Sequence, residues 1–125
     1  MIKKVYLPAL AWLLVITVLS VMPGLPAPHF DLLSSDKIGH AGAYAILTWL
    51  IFRGFKSANG GPAGGNQSLM IFAFSTGYGI LMEFVQATFF PYRHFEIDDM
   101  IANASGALIV SWIMFSRSDA SSGNI

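Results

Sequence analysis

LMIFAFSTGYGILMEFVQATFF, residues 69–90, is a full membrane-crossing length of apolar sequence interrupted by one formally charged side chain, Glu83. A helix needs ~20 apolar residues to cross a ~30 Å hydrocarbon core. Glu83 lies two turns before Phe90, roughly 10 Å from that end at 1.5 Å per residue. A carboxylate at such a depth is costly in lipid, and groups of this kind normally face a bundle interior or a watery cavity. Gln86 shares its face at i+3, and Gly79 and Thr76 continue the stripe in the other direction, with Gly79 leaving room for a close helix contact.

Working outward, three further apolar stretches appear at 5–22, 38–55 and 100–115. The second and fourth are short and rely on flanking polar turns, or on local bilayer thinning, to complete a crossing. The expected fold is therefore all-α, an integral membrane four-helix bundle. Of the 125 residues, 54% are hydrophobic and 11% are charged, against roughly 25% charged in an average soluble domain. Mean hydropathy is +0.59. A soluble helical protein would need solvated faces that these stretches lack. Zero net charge provides no field to draw in nucleic acid, and the absence of cysteine excludes disulfides and thiolate chemistry.

Lys3 and Lys4 precede the first stretch, as in a signal peptide. The exit Met22-Pro23-Gly24-Leu25-Pro26-Ala27-Pro28 lacks a small-residue cleavage pattern, so an uncleaved anchor is expected. Lys3, Lys4, Arg53, Lys56 and Arg117 fall on one side of the spans, and Lys37 and Arg93 on the other. By the positive-inside rule the first side is cytoplasmic. Both termini are thus expected inside a multi-pass protein of the cytoplasmic (inner) membrane. The glycine-rich segment 59–66 reads as a flexible connector. The organisation is a single domain, 1–117, and a Ser/Gly/Asn-rich tail, 118–125, expected to be disordered.

The second stretch opens Asp36-Lys37-Ile38-Gly39-His40, with Tyr44 one turn deeper than His40; Lys37, His40 and Tyr44 share an arc of the helix. The fourth opens Asp98-Asp99 and carries Asn103 and Gly106 in register with Asp99. Asp36 and Asp99 are expected at helix starts, as caps. Two helix N-termini beside Lys37 and Arg93 make a potential anion site. The expected ligand-binding set is Asp36, Lys37, His40, Tyr44, Glu83, Gln86, Arg93, Asp99 and Asn103, converging on one cavity.

The strings D-K-x-x-H at Asp36 to His40, E-x-x-Q at Glu83 to Gln86, P-x-R at Pro91 to Arg93 and D-x-x-x-N-x-x-G at Asp99 to Gly106 resemble the VanZ-like family, over most of the chain. The family takes its name from a teicoplanin-resistance protein. The resemblance implies a membrane protein that lowers sensitivity to lipid-tailed glycopeptides, with those residues in the positions of the family's pattern. Val110 departs from it, standing where a second small residue is expected, which bears on the packing of the fourth helix.

Two functions fit these residues. One is a binding protein whose outward pocket holds the head group of an amphiphile, either an envelope lipid, a lipid-linked envelope precursor or a lipoglycopeptide, while the spans contact its tail. The other is a membrane-embedded hydrolase or transferase acting on a lipid-linked phosphate, with His40 and Glu83 as acid and base and Asp36 and Asp99 orienting them or holding a divalent ion. The spacing matches no common catalytic motif, H-E-x-x-H and G-x-S-x-G among them. Membrane lipids are the expected partners, nucleic acid is not, and no cofactor or resident metal is expected.

Overall fold

The structure, a computed structural model, describes residues 4–21, 35–89 and 97–123. Among these residues a 3-10 turn, Lys4–Tyr6, leads into four helices and no strand: α1 (Leu7–Val21), α2 (Ser35–Asn59), α3 (Gly65–Phe89) and α4 (Ile97–Gly123). The expected all-helical class is observed. α3, with 25 residues, extends about 37 Å at 1.5 Å per residue. α3 and the part of α4 from Asp99 to Ser118 are long and apolar enough to cross a membrane, and the region Lys4–Leu19 is apolar but shorter. α2 also has 25 residues, but His40 and several glycines dilute one end, and Arg53 and Lys56 the other.

Side-chain pairings set the helix directions. Tyr6 at the start of the chain lies against Gly54 near the end of α2. Further along, the Trp12 Nε1–H donates to the Ala43 carbonyl at 2.8 Å, so α1 and α2 are antiparallel. Thr17 and Tyr78 hydroxyls bond across α1 and α3. Phe52 and Ile71, from the end of α2 and the start of α3, pack with Val110 and Met114 of α4. α4 therefore runs parallel to α2 and antiparallel to α3. It makes its most extensive contacts with α2 and then with α3, while α1 packs on α2 and α3 only, among the described residues.

At Gly106 α4 lies directly against α2, and a Cβ there would overlap the Ala41 carbonyl oxygen. Only a residue without a side chain allows the two backbones to approach this closely. Val110, one turn further on, is partly buried against the Phe52, Ala63 and Ile71 cluster. The branched side chain at this position thus packs into a core shared by α2, α3 and α4.

Burial is inverted relative to a soluble protein. Thr48, Ser75, Glu83, Gln86, Asn103 and Ser111 are buried, whereas Leu14, Met70, Phe89 and Trp112 are each more than half exposed. Most of α3 and α4 lies outside the core: 33% and 22% of their apolar windows are buried. Water would penalise such an exterior, and patches of this extent signal a membrane or a partner. Hydroxyls on the helices bond back to the carbonyl one turn earlier, as Thr17 to Leu13, Thr48 to Tyr44 and Ser105 to Ile101, which satisfies them without solvent.

Three expectations need correction. Because α2 begins at Ser35 and α4 at Ile97, Asp36 and Asp99 lie inside the first turn and not at the cap position. There the Asp99 carboxylate still interacts favourably with the positive helix end. The connector between α2 and α3 is a packed turn: Gly60 adopts φ 72, Ala63 is buried, and the Ser68 N–H bonds the Gly64 carbonyl at 2.8 Å. Left-handed glycine closes α2, and the buried alanine holds the loop against the core. Finally, α4 continues past Arg117 to Gly123; once a long helix is nucleated, each added residue costs little, even for serine.

Candidate functional site

The helix directions bring the first turns of α2, the last turns of α3 and the first turns of α4 to one end of the bundle. His40 Nε2 lies 3.8 Å from Asp99 Oδ2. Each of His40, Glu83 and Asp99 contributes an atom to a group lying within 4.8 Å of one another. Residues from three separate helices, far apart in sequence, thus form one cluster, and two of them, His40 and Glu83, are the acid–base pair read from the sequence.

Burial is graded across the cluster. The side chains of His40 and Asp99 are 26% and 14% exposed, whereas Glu83 and Asn103 are each 2% exposed and Gln86 is 4% exposed. His40 and Asp99 form the accessible edge, and Glu83, Gln86 and Asn103 lie behind them. Asn103 follows Asp99 by one turn of α4 and packs at Gly79 of α3, where a Cβ would come 2.9 Å from its Nδ2 and 3.3 Å from Tyr44 Cε1. Gly79 therefore does what the stripe on α3 requires: it opens the space that Asn103 and Tyr44 occupy. Tyr44 is buried and within electrostatic reach of Tyr78 and Glu83.

Of the expected site residues, His40, Tyr44, Glu83, Asp99 and Asn103 meet in this region, and Gln86 is buried on the same helix, three residues from Glu83. Arg93 and the side chains of Asp36 and Lys37 lie outside the described residues. Tyr78 joins the region without belonging to the expected set. It ties α1 to α3 through Thr17 and packs against the cluster that holds Tyr44, and its one signal in the sequence is a polar group beside Gly79 in an apolar run. Ser75 Oγ, Thr76 Oγ1, Asn103 Oδ1 and Ser111 Oγ are buried and find no hydrogen-bond partner among the described residues.

Chemically, the cluster offers an imidazole and two carboxylates that can exchange a proton or share a cation. Two carboxylates this close repel unless a positive charge lies between or beside them. The 3.8 Å separation of His40 and Asp99 exceeds a direct hydrogen bond, which ends near ~3.2 Å.

An all-helical membrane protein with an ionisable cluster at one end of its bundle is the class that fold and site define. The VanZ/LLP1 family model matches residues 12–117, a stretch that includes all the clustered side chains, and the chain belongs to that family. No curated protein and no solved structure matches it.

Proposed function

We propose that the chain is a four-span protein of the cytoplasmic membrane, with both termini inside, whose polar end receives the head group of an amphiphile. The observation that carries this is the gathering of His40, Glu83 and Asp99 within 4.8 Å at the end of helices with apolar exteriors. Such a protein offers a polar anchor and an acyl-compatible wall within one molecule. A lipid or a lipid-tailed glycopeptide has the same two parts. Lys37 and Arg93, on the same side by charge distribution, supply the positive charge that an anionic head group needs.

The test pairs folding with function. Glu83→Gln preserves size and hydrogen-bonding capacity but removes charge, and Arg93→Ala removes a loop cation of the kind that contributes little to stability. Both variants should melt like the parent in detergent, lose co-purifying anionic lipid in native mass spectrometry, and lose protection against a lipid-tailed glycopeptide in a host that the parent protects. If both fold, retain lipid and protect, the polar end is scaffolding and the proposal fails. Acid–base chemistry by His40 and Glu83 is the second reading, favoured by their proximity; turnover of a lipid-linked phosphate by the parent, abolished in Glu83→Gln, would establish it.

A further inference from the structure

We infer that His40, Glu83 and Asp99 form a binding site for a divalent first-row transition cation, with Asn103 as an additional oxygen donor. Two observations converge on it. First, the three donor atoms come from three helices and lie within 4.8 Å of one another. Bonds of 2.0–2.2 Å to a common ion separate two donors by about 3.4 Å at a tetrahedral angle and about 4.2 Å when opposed. The His40–Asp99 separation of 3.8 Å falls between these values, too long for a direct hydrogen bond, and donors as far as 4.8 Å apart need draw together by only about 0.6 Å to share an ion.

Second, Asn103 Oδ1 is buried without a partner among the described residues, in a side chain 2% exposed. An orphaned amide oxygen in an apolar bundle costs free energy that a ligand recovers. Asn103 lies one turn below Asp99, and its Nδ2 side packs at Gly79, which leaves the oxygen as the group in need of a donor or an ion.

The donor set selects the class of ion. One imidazole with carboxylate and amide oxygens suits Mn²⁺ or Zn²⁺. It falls short of the six to eight oxygens that Ca²⁺ takes. Partial exposure of His40 and Asp99 places the open coordination position at the edge of the bundle, where an oxygen of a phosphate or carboxylate head group could complete the shell. That last role rests on the function proposed above; cation binding does not.

The experiment uses the full chain in detergent, without a polyhistidine tag, titrated with Mn²⁺ and followed by electron paramagnetic resonance. One saturable site per chain is expected, displaced by Zn²⁺ but not by an equal concentration of Ca²⁺. Pulsed measurements should show nitrogen coupling from one imidazole in the parent. His40→Ala should lose that coupling, and Glu83→Gln and Asp99→Asn should weaken binding by at least tenfold. Asn103→Leu, which removes a neutral oxygen donor and no charge, should weaken it less than the loss of either carboxylate. No saturable Mn²⁺ site in the parent, or bound Mn²⁺ without nitrogen coupling, overturns the inference whether or not the variants fold. Saturable Mn²⁺ binding in a protein that retains no anionic lipid would overturn the head-group reading and leave this one standing.

Discussion

Gly79 and Gly106 are the positions where single atoms decide whether the helices meet. A Cβ at 106 would overlap the Ala41 carbonyl, a backbone atom that cannot rotate away, whereas a Cβ at 79 would meet the side chains of Asn103 and Tyr44. Gly106→Ala should therefore force α2 and α4 apart and destabilise the bundle by about 1–3 kcal/mol or more, the usual range for overpacking. Gly79→Ala should cost less in stability but displace Asn103, and with it the polar cluster. Gly42→Ala is the control: a Cβ there would meet nothing within 4 Å, and replacing a mid-helix glycine should stabilise by up to about 1 kcal/mol. Thermal unfolding of the three variants in one detergent tests the order Gly42→Ala, Gly79→Ala, Gly106→Ala from most to least stable. A Gly106→Ala protein as stable as the parent would mean that α2 and α4 do not approach closely at Ala41. The sequence already pointed to Gly79 and Gly106 as packing positions, but not to their partners: Ala41 carries no chemical signal, and only the helix crossing picks it out.

Among the elements, α1 depends most on specific polar ties, because among the described residues it packs on α2 and α3 and not on α4. The Trp12 indole donates to the Ala43 carbonyl, and Thr17 bonds Tyr78. Trp12→Phe removes the donor and keeps an aromatic ring, so it should cost about 0.5–1.5 kcal/mol. Thr17→Val and Tyr78→Phe should show a coupling energy of about 0.6 kcal/mol in a double-mutant cycle, the average for interhelical bonds in membranes. Additive effects, with no coupling, would mean that the two hydroxyls do not bond. The apolar runs made the helices legible, since lipid and helix impose the same length on a sequence. Their ends were less so. α2 and α4 extend beyond their apolar runs at both ends, because polar residues such as Asp36 and Ser118 continue a helix without extending its hydropathy. The loop before α3 reads as flexible from its glycines, yet Ala63 is buried in it; a contact made by one small side chain leaves no compositional trace.

For the whole molecule, the polar cluster was legible as a set of depths. His40, Glu83 and Asp99 each lie near one end of a helix, and alternating helix directions bring those ends together. Which atoms meet was not legible, because rotation of a helix about its axis depends on packing at Gly79 and Gly106 and not on depth. The same alternation makes orientation testable. Asn66 is exposed at the start of α3, on the end that carries Arg53 and Lys56, whereas the cluster lies at the opposite end. Positive charge is retained on the cytoplasmic side during insertion, so Asn66 is expected inside and the cluster outside. The chain contains no cysteine, so Asn66→Cys and His94→Cys each provide one reactive thiol. An impermeant maleimide added to intact cells should label His94→Cys and spare Asn66→Cys until the membrane is permeabilised. The reverse pattern would place the cluster at the cytoplasmic face, where an externally added glycopeptide has no direct access, and would remove the geometric basis for a protective role. Labelling of neither thiol before permeabilisation and of both after it would contradict four crossings, because residues 66 and 94 flank a single helix that must then lie on one side of the bilayer.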